Sequence, residues 1–199
     1  MLAFHGIFGA YGFWLPNDPR GSWSDFVHAD QLYRHAGPAT KTNAPHSLAH
    51  RAHDPRQRRA AKQHLKHPPV RLTGQQARAA AQGIAHVVDT SGYTLHALAI
   101  MPDHVHVVVA GHHPDHAGRV LGHLKRGATE QLLAQGLHPF QQPASTPARS
   151  CWADRAWKVF LDTPPDVERA IRYVERNPTD AGLKPQRWSC VTPYPRPCI

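Results

Sequence analysis

Two histidines separated by a single residue, His104 and His106, stand in the run His104-Val105-His106-Val107-Val108-Val109. Side chains alternate along a strand, so His104, His106 and Val108 share one face while Val105, Val107 and Val109 share the other. Two imidazoles on one face can point into a single metal site. The plainer alternative is a sheet face that happens to carry two histidines. The chain holds 17 histidines in 199 residues. The square of that frequency times the chain length gives roughly one His-x-His triplet by chance, so context has to supply the weight.

A second group lies on a helix near the C-terminus. Val167, Ala170, Ile171 and Val174 follow the i, i+3, i+4, i+7 spacing of a buried stripe. Tyr173 falls on the flank of that stripe, roughly 110° from its centre at 100° per residue. Asn177 follows one turn later on the same side. A tyrosine off the stripe is free for chemistry, or it is an amphipathic residue at the edge of a helix–sheet contact.

The elements that must position these groups can be read from pattern. Residues 2–15 are aromatic and glycine-rich and end at Pro16-Asn17-Asp18-Pro19, a strand closed by a turn. Residues 20–70 show no sustained period and read as an irregular insertion, with at most a short helix near 57–65. Residues 73–90 form a helix opened by a Thr73/Gln76 capping box, with Ala77, Ala81, Ile84 and Val88 on one face and Gly92 beyond its end. Residues 93–101 and 104–110 make a hairpin across Pro102-Asp103. Asp115 caps a helix over 116–135, whose buried face is Ala117, Leu121, Leu124, Ala128 and Leu132, and Gly136 ends it. A short strand is expected over 157–162 and a last helix over 166–177, stopped by Pro178. The tail from 181 is irregular. The order βαββαβ plus one helix predicts an α+β, ferredoxin-like fold: a four-stranded antiparallel sheet with two helices on one face and the other face free to bind. The chain reads as one domain over 1–199 carrying that insertion and that tail.

The two chemical segments are more specific together. Pro102-Asp103-His104-Val105-His106 is followed by Tyr173-Val174-Glu175-Arg176-Asn177-Pro178-Thr179-Asp180-Ala181-Gly182-Leu183. This pair resembles the signature of the HUH single-tyrosine transposases, most closely the REP-associated tyrosine transposases. That branch carries Pro-[Asp/Glu]-His-apolar-His before a helix ending Tyr-x-x-x-Asn-Pro-x-x-Ala-Gly-Leu. The resemblance covers residues 93–183. Phe13-Trp14-Leu15-Pro16 with Asp18-Pro19-Arg20-Gly21 is similar to some members as well.

The resemblance implies a sequence-specific enzyme that cleaves and rejoins single-stranded or hairpin DNA. In it, His104 and His106 match histidine metal ligands, Tyr173 the nucleophile and Asn177 a third ligand, where insertion-sequence relatives more often use glutamine. The implied cofactor is a divalent ion, Mg²⁺ or Mn²⁺, which would neutralise the scissile phosphate. A free phenol ionises near pH ~10, so an attacking tyrosine needs a neighbouring positive charge or a base. The product would be a 5′-phosphotyrosine that keeps the ester energy. No Gly-x-x-x-x-Gly-Lys loop is present, in keeping with no nucleotide cofactor. Relatives are often homodimers, so the resemblance allows a dimer as well as a monomer.

Charge points the same way. With 23 Lys and Arg against 14 Asp and Glu the formal charge is +9, which favours a polyanionic partner, either nucleic acid or an acidic membrane surface. Arg119, Lys125 and Arg126 on the second helix, and Lys158, Arg169, Arg172 and Arg176 around the tyrosine helix, are the candidate DNA-binding residues. Phe13, Trp14 and Trp23 could stack on bases or belong to a core. Histidines 28, 35, 46, 50, 53, 64 and 67 lie in the insertion without repeated ligand spacing and read as surface residues; His112 and His113 follow the metal strand without an assigned role. Cys151, Cys190 and Cys198 form no Cys-x-x-Cys pair, so the thiols are expected free and the chain cytoplasmic, nucleoid-associated through its DNA. No apolar run is long enough to span a membrane, and the N-terminus lacks a signal-peptide pattern. Two other readings remain: a hairpin-binding module of the same fold without cleavage, and a histidine-site zinc hydrolase, which lacks a His-Glu-x-x-His helix.

Overall fold

The computed structural model describes residues 1–44, 48–49, 51–111, 116–140 and 149–195. Those residues form two compact units, 1–10 with 71–199 and 11–70.

In the first unit, β1 (Ala3–Ala10) starts a sheet that is completed after the insertion. The elements of the 11–70 unit are α1 (Asp30–Ala36) and α2 (Pro55–Gln63). They are followed in the first unit by α3 (Gly74–Ser91), β2 (Leu95–Ile100), β3 (His104–Ala110), α4 (Ala117–Ala134), β4 (Trp152–Leu161) and α5 (Pro164–Asp180). The sheet order is β2-β3-β1-β4 and every pairing is antiparallel. This is the α+β arrangement expected from the element order, with β3 and β1 central.

The local signals act where expected. Gln76 N–H donates to Thr73 Oγ1 while Thr73 N–H donates to Gln76 Oε1, closing the capping box of α3. Gly92 ends α3 in the left-handed region at φ 67°. Asp115, the expected cap of α4, lies outside the described residues.

The two faces of the sheet are filled differently. α3 and α4 lie on one face and press closely together. A Cβ added to Gly83 would lie 2.1 Å from the Gly127 carbonyl oxygen. Gly6 admits α4 to the sheet, since a Cβ there would stand 2.6 Å from Leu121 Cδ2. The opposite face is not free as expected. Ala3, Ala97, Ala99, Val108 and Leu161 are buried on it with Val167, Ala170 and Val174 of α5. The stripe read from the sequence is what brings α5 there, because burying it removes apolar surface from water.

Three boundaries differ from expectation. α5 does not stop at Pro178; it runs to Asp180 with Pro178 buried inside it. A proline loses its own N–H bond and crowds the carbonyl four residues back, but this close to the end only the last residues of the helix lie beyond it. Leu183 N–H closes back on the Pro178 carbonyl at 2.8 Å. β4 begins at Trp152 rather than 157, because pairing with β1 continues past a bulge to Ala10↔Trp152. β1 is shorter than the apolar stretch that predicted it, ending at Ala10.

The tail has no helix or strand over the described residues 181–195, yet it covers the β2 edge. Gln186 uses its side-chain amide to accept from Ile100 N–H and donate to Ile100 C=O, each at 2.8 Å. Thr192 N–H donates to Leu95 C=O at 2.7 Å. Those bonds satisfy edge groups that would otherwise be open to another strand.

In the 11–70 unit, Leu15, Leu32 and Ala61 form a small core. Asp18 is fully buried and takes two bonds from the Arg20 guanidinium, at 2.8 and 2.9 Å. The same guanidinium covers the Trp14 ring at 3.6 Å. The short helix α2 overlaps the one expected near 57–65, whereas α1 was not expected. No described helix is long and apolar enough to cross a membrane.

Candidate active site

β3 carries His104 and His106 on the face that α5 covers, since Val108, two residues on, is buried against α5. Their ring centroids are 4.7 Å apart. α5 brings Tyr173 to the same place: its ring meets His106 edge to face at 5.6 Å. Tyr173 is half exposed. Asn177 is half-buried one turn further along α5.

A third imidazole belongs to this cluster, and sequence reasoning missed it. His5 on β1 pairs with Val108 in the register of β1 and β3, which puts it on the face of His106. Its Nε2 lies 2.9 Å from His106 Nδ1. The centroids are 5.2 Å apart with planes inclined by 24°. That spacing is what an in-line N–H···N bond between two imidazoles produces, and it is too long for face-to-face stacking. His5 also meets the Tyr173 ring at 5.8 Å. Strand alternation alone puts Ala3, His5 and Ile7 on one face; only the register, which no local motif carries, places His5 beside His106.

Each β3 histidine has a partner on Nδ1. His104 Nδ1–H donates to Asp103 Oδ1 at 2.8 Å. Because a carboxylate only accepts, His104 carries a proton on Nδ1. Arg71 steadies the other oxygen, with Nη1 3.3 Å from Asp103 Oδ2. Burial holds His106 well below the usual imidazole range, helped by the charges of His104 and His5. Burial pushes His5 down to about 4. Both rings are therefore neutral near pH 7.

The donor set can be tested against a divalent cation. Neutral imidazoles bind without displacing a proton, and an amide oxygen from Asn177 adds a hard ligand of the kind Mg²⁺ and Mn²⁺ accept. The residues fit such an ion in type. Among the described residues no group of three His, Cys, Asp or Glu side chains is arranged to hold a metal, so a site here depends on the amide and on substrate or water oxygens.

The basic candidates divide between the two faces. Arg169, Arg172 and Arg176 are exposed on α5, and each is paired along its own helix, with Asp166, Glu168 and Asp180. Such exposed pairs are weak, about 0.3–0.5 kcal/mol, and a phosphate can displace them. Lys158 does not surround the tyrosine helix. It pairs with Gly6 in the sheet, and Gly6 faces α4, so Lys158 points to the α4 side. Arg119 and Arg126 are exposed on α4. Lys125 is differently engaged: its Nζ donates to the carbonyls of Ala153 at 2.6 Å and Asp154 at 3.1 Å. Burial lowers its pKa, opposed by Asp154. These bonds tie α4 to the start of β4.

Other candidates resolve more simply. Trp14 is occupied by Arg20, as above. His28 and His35 are exposed, while His53, His64 and His67 are half-buried; His35 and His64 stack face to face at 3.7 Å. His46, His50, His112, His113 and Cys198 lie outside the described residues. Cys151 and Cys190 are free thiols.

No protein-family model matches the chain, and no curated protein does. Solved structures do align with it. One is a REP-associated tyrosine transposase bound to a REP hairpin, at 12% identity and a TM-score of 0.47, over 92% of this chain and 70% of that one. Another is a candidate transposase from Deinococcus radiodurans, at 12% identity and a TM-score of 0.38, over 88% of this chain and 89% of that one.

Proposed function

We propose that the chain is a DNA-strand transesterase that cleaves and rejoins single-stranded or hairpin-bearing DNA through Tyr173. The observation that carries this reading is the half-exposed Tyr173 ring set edge to face against His106, 5.6 Å away, with His104 beside it. The paired motifs around His104 and Tyr173 support it from the sequence side.

His104, His106 and Asn177 would hold Mg²⁺ or Mn²⁺, and the bound ion supplies neutralisation of the phosphate and polarisation of its oxygens. The protein's own groups do the rest. Asp103 and Arg71 fix the His104 ring. α5 presents the Tyr173 hydroxyl, whose oxygen attacks phosphorus as its proton is lost. The bond from phosphorus to the 3′ oxygen breaks, and that oxygen takes up a proton. The result is a 5′-phosphotyrosine and a free 3′-hydroxyl. Attack of a 3′-hydroxyl on the phosphotyrosine reverses the step and joins strands without ATP. Exposed Arg169, Arg172 and Arg176 on α5 supply backbone affinity beside the attack site.

The test is the chemistry of the cut ends. A 5′-labelled strand carrying a hairpin, drawn from DNA flanking the chain's own gene, is incubated with protein and Mn²⁺. The expected labelled fragment has a 3′-hydroxyl that a polymerase extends, while the other fragment stays with the protein. Free 5′-phosphate ends, or hairpin binding with no cut, would overturn the reading in favour of hydrolysis or of binding alone.

A further inference from the structure

The bond between His5 and His106 contains one proton, and its position decides which nitrogen His106 offers. Two imidazoles 2.9 Å apart through Nε2 of His5 and Nδ1 of His106 can share it only one way at a time. If His5 donates, His106 keeps its own proton on Nε2 and cannot bind a cation there. If His106 donates, its Nε2 is bare. We propose that His5 is a positioning residue: it accepts the Nδ1–H of His106 and so holds Nε2 of His106 unprotonated toward a divalent cation.

Three observations support this direction. His104, the neighbouring ligand candidate, has its Nδ1 proton fixed by Asp103 at 2.8 Å, so the same tautomer at His106 turns the same ring nitrogen, Nδ1, to a protein acceptor in both. His106 is almost wholly buried, at 3% exposure, and water cannot replace a missing partner on Nδ1. His5 is itself held in a central strand opposite Val108, which makes it a rigid acceptor. Outer partners of this kind fix the tautomer and orientation of a ligating histidine, and losing one commonly costs 10–100-fold in metal affinity. His5 then carries its own proton on Nδ1.

The inference rests on the metal-dependent reading above, and the experiment separates the two. Long-range proton–nitrogen correlation spectra of the full chain, labelled with ¹⁵N and free of metal and DNA, report the tautomer of each histidine. His106→Asn identifies the His106 signals. In the wild-type protein His106 is expected as the Nδ1–H form. His5→Phe is expected to release it to the Nε2–H form that predominates in water, and to weaken Mn²⁺ binding 10–100-fold by calorimetry. His5→Gln, which returns an acceptor oxygen, is expected to restore the Nδ1–H form and most of the affinity. An Nε2–H His106 in the wild-type protein overturns the proposal whether or not the variants fold. So does a His5→Phe spectrum unchanged at His106, or a Gln variant that behaves like Phe. If the tautomer depends on His5 but no DNA is ever cut, the transesterase reading fails and the role of His5 in orienting His106 stands.

Discussion

Tyr173 and His106 touch edge to face at 5.6 Å although they come from a helix and a strand distant in sequence. The contact follows from two patterns acting together. Alternation in β3 turns His106 toward α5, and the Val167, Ala170, Val174 stripe seats α5 on that face. Tyr173 lies on the flank of the stripe, which keeps its ring beside the histidines and leaves it half exposed.

Replacing Tyr173 with Phe removes one oxygen and keeps the ring. The account expects Tyr173→Phe to lose the covalent protein–DNA species and all strand cleavage. Stability should change by less than about 0.5 kcal/mol, the range for exposed positions, as read from a urea melt. Cleavage near the wild-type rate would rule out Tyr173 as the attacking group.

His104 lies at the rim of the cluster, bonded to Asp103. His104→Ala is expected to abolish Mn²⁺-dependent cleavage while hairpin binding persists, because backbone affinity is assigned to arginines and not to the imidazoles. A gel-shift titration alongside the cleavage assay checks this; equal loss of both would contradict that division. Chelation of the metal should reproduce the variant in the wild-type chain.

The basic residues are expected to behave as two classes. Arg172→Gln should weaken DNA binding and reduce the salt slope by about one, with the melting temperature nearly unchanged. Lys125→Met should instead destabilise the fold by about 1–3 kcal/mol, since it strips a donor from carbonyls at the start of β4. A Lys125 variant of full stability and reduced DNA affinity would return that residue to the DNA surface.

The glycines between α3 and α4 set the helix spacing. Gly83→Ala would normally favour a helix, but the new Cβ would stand 2.1 Å from the Gly127 carbonyl oxygen. The expected result is a net loss of about 1–3 kcal/mol, measured by thermal melting. A stabilised variant would show that these helices can separate freely.

Much of this was legible in the sequence because it is local. Capping at Thr73, the α4 and α5 stripes and the alternation around His106 each depend on a few neighbouring residues, and each reappears in the fold. What was not legible depends on register and on partners far along the chain. His5 gains its place from pairing with Val108, and Lys158 takes its direction from pairing with Gly6. Lys125 resembles any helix-surface lysine until β4 supplies the carbonyls it binds. The extension of α5 through Pro178 escaped because a proline this near a helix end disturbs only the last turn, by a lost bond and a crowded carbonyl, and not the whole helix.

Burial gives a separate check on the packing of β4. Cys151 has no exposed surface, and burial pushes its thiol up to about 12. A raised pKa makes the thiolate rarer in the native protein, so alkylation at pH 8 should be slow until the chain is unfolded. Rapid labelling of Cys151 under native conditions, located by mass spectrometry, would mean that the start of β4 opens readily.

The central claim is that one phenolic oxygen becomes linked to DNA. The direct measurement is peptide mapping by mass spectrometry after wild-type protein, Mn²⁺ and single strands from the flanking DNA have reacted and the DNA has been digested to a residual nucleotide. The account predicts a 5′-phosphodiester on Tyr173, in the tryptic peptide Tyr173-Val174-Glu175-Arg176, and none in Tyr173→Phe. A nucleotide on another residue, or no adduct on any strand that the protein cuts, would contradict it.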